Sequence, residues 1–381
     1  MNKNKIDFHL YNIVSMLDED KKWECIVHAK DFLNTKKILL HNKIKVLNEY
    51  LFINSFRVLA TKNQLSRLSR FSQVKYISSL AKVTAQMNVA KKILNVDNHR
   101  LTGEGVTVAF IDTGIENHLD FCMGEKRIIF FKDFINDKQF CYDDNGHGTF
   151  VAGVCSGNGA MSAGNFCGIA PKTKIISLKA LNGKGEASAD KILDAMQWVY
   201  ENHRNFNIKV VCMSFGSEPL GLNDPIMKGA EILWQEGVVV VAAAGNSGPE
   251  YASIKSPGVS GKIITVGGFN DNRINNTEYN ENYFEIADFS SRGPAFQKYK
   301  PDLVAPSVDI TSCNREGGYT TLSGTSVATP MVAGIVCLML EKYPKLSPIE
   351  VKRGLLSCCK KICFNKNFEG FGYPQIDKIL K

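Results

Sequence analysis

The stretch Val106-Thr107-Val108-Ala109-Phe110-Ile111 is apolar and rich in β-branched residues, and it stops on a carboxylate, Asp112. A strand with no polar alternation reads as one buried on both faces, the mark of a parallel sheet covered by helices. Asp112 then sits at the strand's carboxyl end, the rim where open α/β sheets place their sites. Val238 to Val241 reads as a second buried strand, and Ala242-Ala243-Ala244-Gly245-Asn246-Ser247-Gly248-Pro249 follows as a loop. With 381 residues, 44% of them hydrophobic, the chain can bury a large core and exceeds one typical domain.

Two further islands complement Asp112. His147-Gly148-Thr149-Phe150-Val151-Ala152-Gly153 reads as a helix start whose glycines permit close packing. Gly324-Thr325-Ser326-Val327-Ala328-Thr329-Pro330 opens an apolar helix, with Pro330 expected in about its first turn, where a missing N–H costs least. Ser326 thereby lies at a helix N-terminus, where free N–H groups favour developing negative charge. Serine is a poor nucleophile at neutral pH unless an imidazole takes its proton, and that imidazole needs a carboxylate on its other nitrogen. Asp112, His147 and Ser326 supply these three groups. Asp112-Thr113-Gly114 alone is compatible with a turn or with an aspartic protease, but the latter uses two such carboxylates and no second Asp-Thr-Gly or Asp-Ser-Gly occurs.

The chain order Asp, His, Ser differs from that of chymotrypsin-like enzymes and of α/β-hydrolases. Together with the flanking residues, from about Leu101 to Leu340, it resembles the subtilisin-like serine proteases (subtilases). The resemblance implies a three-layer α/β fold with a mainly parallel sheet. It implies that Asn246 donates its amide to the oxyanion beside the Ser326 N–H. It also implies that Ser214, Phe215 and Gly216 line the primary specificity pocket and that Ala244 and Gly245 bind substrate. Leu181, Gly183 and Gly185, in the segment Lys179 to Glu186, would pair with an extended substrate, backbone to backbone. Cys212 departs from the Asn common in the family. Phe289-Ser290-Ser291-Arg292-Gly293-Pro294 and Lys300-Pro301-Asp302-Leu303-Val304-Ala305-Pro306 are further hallmarks, structural in role.

Charge separates the N-terminal part from the rest. Residues 1–92 hold 17 Lys and Arg against 7 Asp and Glu, and residues 93–381 hold 29 against 31. Such a basic segment raises nucleic-acid binding, but the lysines are scattered among apolar positions and no nucleic-acid module is evident. Trp23 to Val27 reads as a strand, Leu51 to Ala60 as two strands turning at Asn54-Ser55, Thr61 to Leu68 as a capped helix, and Val74 to Ile77 as a strand. This rhythm resembles the small α+β prodomains of subtilases, which act as folding aid and inhibitor. The expected organisation is an N-terminal extension over 1–22, a propeptide-like domain over 23–82, a linker with a processing site over 83–100, and a catalytic domain over 101–381. Val83-Thr84-Ala85-Gln86-Met87 is small and uncharged enough to bind extended, which places cleavage within Lys82–Asn88.

The first residues are basic but lack an uninterrupted apolar run, so no secretory signal is evident. No stretch reaches the roughly 20 apolar residues of a membrane span. Eleven cysteines, an odd number scattered through apparent core segments, suit a reduced protein better than a disulfide framework. A cytoplasmic or spore-associated location follows as the expectation. Calcium is common in the resembled family. Asp120 stands one residue short of a family ligand spacing, and the loop Gly157 to Asn165 carries no carboxylate, so no metal is expected to be required and calcium is a secondary option.

The function expected is that of a serine endopeptidase that hydrolyses peptide bonds through an acyl-enzyme and processes its own propeptide. Its partners would be a polypeptide substrate and that propeptide, with no nucleic acid and no membrane. A maturation protease acting on a spore zymogen or leader peptide is the narrower version. A catalytically silent, subtilase-like binding or regulatory protein is the alternative from another class.

Overall fold

The computed structural model describes residues 5–6, 10, 21–79, 86–96, 100–273 and 278–380. The chain divides into two compact units, Met1–Val83 and Thr84–Lys381.

The smaller unit runs β1 (Lys22–Ala29), α1 (Phe32–His41), β2 (Lys45–Tyr50), β3 (Ser55–Thr61), α2 (Lys62–Leu68) and β4 (Val74–Ser79). Its sheet has the order β2-β3-β1-β4 with every pairing antiparallel. Alternation in β1 buries Cys25, Val27 and Ala29, which pack with Leu39, Phe56, Val58, Leu65 and Ile77. Capping fixes where the helices begin. The Asp31 side chain accepts the Asn34 N–H at the start of α1, and Thr61 and Gln64 form a reciprocal capping box on α2.

Two expectations for this part change. The second strand ends at Tyr50, because Leu51–Ile53 form a short helical turn closed by Asn54 at φ 49°. The stretch read as an N-terminal extension is not separate in its described residues. Ile6 and Leu10 are buried in the small core, Ile6 bridges Ile77, and the Lys5 ammonium donates to the carbonyls of Phe71 and Val74.

The larger unit begins with α3 (Gln86–Ile93) and continues through β5 (Thr107–Asp112), α4 (Leu119–Cys122), β6 (Ile128–Asp133), α5 (His147–Ser156), β7 (Lys174–Lys179), α6 (Ala189–Asn202), β8 (Ile208–Met213), α7 (Pro225–Gln235) and β9 (Val239–Ala243). Then follow β10 (Ile264–Asn270), β11 (Glu285–Ile286), β12 (Leu303–Pro306), β13 (Ile310–Cys313), β14 (Tyr319–Leu322), α8 (Thr325–Lys342) and α9 (Pro348–Ser357). The main sheet has the order β11-β10-β9-β8-β5-β7-β6, with β12 also on β10, and only the short β11 runs antiparallel. Strands β5 and β9 are buried at every residue, as their uninterrupted apolar sequences require. Helices α5 and α8 pack on each other and on the sheet, α6 and α7 do the same as a second pair, and the result is a helix–sheet–helix layering.

Residues 83–100 do not serve as a linker throughout. Val89 and Ile93 of α3 pack against Phe269, Phe284 and Tyr373, while Ala90 and Leu94 join the main core. Apolar residues at 89, 90, 93 and 94 lie on one face of a helix, and that periodicity overrides the extended reading at Gln86, Met87 and Asn88. The rest of the expected cleavage segment, 82–85, lies outside the described residues. Helix α8 is long and apolar enough to cross a membrane by length and composition, yet 83% of that window is buried inside the protein. It is the core helix of the larger unit.

Candidate active site

Strand β5 sits between β8 and β7 and delivers Asp112 to its carboxyl end, where the side chain is buried. Asp112 Oδ1 accepts the Thr113 N–H at 2.7 Å and lies 2.7 Å from His147 Nδ1. A carboxylate can only accept, so Nδ1 carries the proton and Nε2 keeps the free lone pair. Asp112 Oδ2 is buried and accepts nothing among the described residues. Its charge is thus left for a protonated imidazole to balance. Burial of the His147 ring works to lower its pKa, but the charge and hydrogen bond of Asp112, with the more distant charge of Asp143, outweigh it and hold the ring above its ordinary value.

His147 is the first residue of α5, which starts after Gly146 at φ 106°, a conformation that favours glycine. The turn before it is built around Asp143, a residue the sequence reading passed over. Asp143 Oδ1 accepts the Thr113 hydroxyl at 2.9 Å and the N–H groups of Asn145 and Gly146 at 3.1 and 2.8 Å. Its Oδ2 accepts the N–H and hydroxyl of Thr149 at 2.9 and 2.7 Å, while Thr113 Oγ1 accepts the Gly148 N–H at 2.8 Å. Together these bonds fasten the end of β5 to the first turn of α5 and fix His147 over Asp112. Buried Lys179 adds a brace, its ammonium donating to the carbonyls of Thr113 and Leu181 and pairing with Asp144 at 2.6 Å.

Ser326 is the second residue of α8 and half-buried. Gly324, two residues before it, has φ 153°, and a Cβ there would stand 3.1 Å from Ser326 Oγ and 3.4 Å from Asn246 Nδ2. The serine hydroxyl and the Asn246 amide therefore flank one small space. Asn246 is oriented by Thr325, whose N–H and Oγ1 both donate to its side-chain oxygen at 2.9 Å. With the oxygen engaged, the amide nitrogen is left to donate outward. Thr325 is a second residue that sequence reasoning missed. Its signal was its position immediately before the candidate nucleophile.

The structure joins Asp112 to His147 directly, and sets Ser326 beside Asn246. Among the described residues no hydrogen bond links Ser326 to His147, although the helices that begin with them pack together. Catalytic hydrogen bonds are often long before substrate binds. Pro330 is the sixth helical residue, past the first turn, so the Ser326 carbonyl lacks the N–H that residue 330 would otherwise donate.

Of the expected substrate-facing residues, Leu181, Gly185, Phe215 and Gly216 line one cleft of about 370 Å³. Ser214 and Ala244 do not: both are buried, with Ser214 Oγ against Cys212 Sγ at 3.6 Å and the Ala244 N–H bonded to the Val266 carbonyl. Gly183 lies off the cleft, its carbonyl accepting from Asn145 at 3.1 Å, and Gly245 is covered by Lys255. Cys212 is buried, and burial pushes its thiol well above the usual range, so it stays neutral.

Asp120 on α4 does not offer a calcium site. The carboxylate is fully buried, and the Tyr319 hydroxyl lies 3.0 and 2.9 Å from its two oxygens. It also accepts the N–H groups of Gly159 and Met161, both at 3.1 Å. Its other close neighbours, His118 and Cys313, are poor ligands for a hard cation, and the His118 Nδ1 lone pair already accepts the Asp120 N–H. The residues present do not fit calcium, because the carboxylate ties down the loop 157–164 by itself.

Acid–base and nucleophilic groups at the carboxyl rim of a parallel sheet mark out an α/β serine hydrolase. Residues 103–373 match the model of the subtilase family. The chain is 34% identical to serine protease AprX of Bacillus subtilis (strain 168), over 92% of this chain and 90% of that protein. It is 35% identical to subtilisin of Bacillus sp. (strain TA39), over 66% of this chain and 60% of that protein. Among solved structures it resembles sphericase, with TM-score 0.65 and 28% identity, over 75% of this chain and 97% of that one. The chain belongs to the subtilase family and is a serine endopeptidase acting on polypeptides.

Proposed function

We propose that Asp112, His147 and Ser326 are the catalytic triad of this endopeptidase, with Asn246 and the Ser326 N–H as oxyanion donors. Ser326 Oγ attacks the scissile carbonyl as His147 Nε2 takes its proton, and Asp112 stabilises the imidazolium. The negative oxygen of the tetrahedral intermediate settles against the Asn246 amide. Collapse expels the amine, which receives the proton from His147, and leaves an acyl-enzyme on Ser326. Water, deprotonated by His147, then releases the acid and restores the serine. The observation that carries this reading is the Asn246 amide, held by Thr325 and sharing one small space with Ser326 Oγ.

The smaller unit acts as a self-cleaved propeptide in this reading. A protease binds its substrate extended, so the helical Gln86–Asn88 narrows the expected cut to residues 82–85. The larger unit works without calcium, and eleven cysteines outside any disulfide fit a reducing cytoplasmic or spore compartment. A fluorophosphonate probe tests the triad: it labels wild-type protein at Ser326 and leaves Ser326→Ala unlabelled and full-length. Labelling at another residue, or none in protein that cleaves peptides, refutes the assignment. N-terminal sequencing of active enzyme tests the propeptide, and an intact Met1 would rule it out.

A further inference from the structure

Lys255 packs against Gly245, the residue before Asn246, and has no part in the chemistry above. Its backbone N–H donates to the Ala244 carbonyl at 2.9 Å, alongside the segment that leads into Asn246. The next residue, Ser256, exchanges two backbone hydrogen bonds with Ser217, at 2.9 and 3.0 Å. Lys255 therefore stands where a short crosspiece joins the segment carrying Gly245 to the segment carrying Gly216. Its stem touches both glycines. A Cβ on Gly216 would stand 2.5 Å from Lys255 Cβ, and one on Gly245 would stand 2.5 Å from Lys255 Cγ. The side chain is only 18% exposed, and its ammonium pairs with Glu218, whose own side chain is 80% exposed.

The cation thereby borders Gly216, which the family resemblance assigns to the primary specificity pocket, and its partner Glu218 lines the same cleft as Gly216. In this reading an acyl group on Ser326, with its oxygen at the Asn246 amide, sends its P1 side chain toward the wall bearing Gly216. Methylenes buried along glycine backbones with the charged head at the open end are the usual arrangement of a half-buried lysine. Two further carboxylates line that cleft: Glu186 is exposed, and Asp224 is already engaged, accepting from the N–H groups of Leu220 and Met227 and from the Ser256 hydroxyl. Glu218 is thus the counter-ion a substrate must replace. A largely exposed partner holds an ion pair weakly, so an incoming carboxylate displaces it at little cost.

We infer that Lys255 is a specificity-determining residue that selects substrates with glutamate at P1 and rejects lysine and arginine there. This rests on Ser326 being the nucleophile. No Asp or Glu occurs between Ser78 and Lys92. A self-cut in that stretch proceeds through its high local concentration rather than its P1 residue.

The test uses four otherwise identical peptide substrates with Glu, Gln, Phe or Lys at P1, cleaved by fluorophosphonate-titrated enzyme. Wild type is expected to favour Glu over Gln by roughly tenfold in kcat/KM, and Lys should be the poorest. Lys255→Met keeps the stem between the glycines and should bring the Glu/Gln ratio near one. Glu218→Gln frees the ammonium and should raise the ratio. A wild-type ratio near one, or one that survives Lys255→Met, overturns the inference. If the variant folds poorly, cleavage of denatured proteins by wild type alone decides the matter: cuts should fall mainly after Glu, and cuts without that preference overturn the inference. Absence of labelling at Ser326 in active wild type refutes the triad instead, so the two failures are distinguishable.

Discussion

The side-chain oxygen of Asn246 receives both donors of Thr325, the N–H and the hydroxyl, at 2.9 Å each. The amide proposed to face the reacting oxygen is therefore aimed by the residue next to the proposed nucleophile, Ser326. Thr325→Val removes one of the two anchors while conserving shape. A fall in kcat of roughly tenfold with little change in KM is expected, against about 10²–10³-fold for Asn246→Ala, which removes the donor itself. Steady-state kinetics on one peptide substrate measures both, and equal losses in the two variants would contradict the positioning role.

Gly324→Ala should strike the same space sterically. The new methyl would approach Ser326 Oγ to 3.1 Å and Asn246 Nδ2 to 3.4 Å, on a backbone whose φ of 153° suits glycine. About a hundredfold loss in kcat/KM is expected, since small misplacements at a reacting centre cost that much. Retained fluorophosphonate labelling at the wild-type rate would argue that the space is not where the oxyanion forms.

With His147 as the proposed general base, the pH profile follows from its environment. The base must be neutral to accept a proton, and its pKa is raised from the ordinary 6.5 chiefly by Asp112 with help from Asp143. The rising limb of kcat/KM should therefore have its midpoint above 6.5. Removing a negative charge makes the imidazolium less stable, so Asp143→Asn should move that midpoint downward while lowering the plateau. An unmoved or raised midpoint would show that the Asp143 charge does not reach the ring.

Chelation should leave the enzyme unaffected in activity and in thermal midpoint, because Asp120 is saturated by protein donors. Tyr319→Phe removes the hydroxyl from a buried carboxylate, at an expected cost of about 1–3 kcal/mol. Thermal or urea unfolding with and without added calcium checks both. A midpoint that climbs with calcium in the wild type would overturn the metal-free reading.

How legible all this was depends on the range over which each residue acts. Asp112, Asn246 and Ser326 stand at strand ends or a helix start, and local apolar runs and glycines announce those boundaries. Thr113 and Asp143 meet across 30 residues, Thr325 and Asn246 across 79, and no local pattern encodes such pairings. Lys255 looks like a surface charge in a loop until the fold presses two distant glycines onto its stem. The opposite error occurred at Gln86–Asn88, where small uncharged residues suggested extension. There the buried face formed by Val89, Ala90 and Ile93 decided for a helix.

Helix α8 is buried without interruption from Val327 to Leu340, and it carries Ser326 at its outer end. An element so enclosed cannot fray without breaching the whole body, so its opening free energy approaches that of global unfolding. For an enzyme surrounded by copies of itself this matters. Loss of the proposed nucleophile Ser326 would then coincide with the unravelling that opens the chain to digestion.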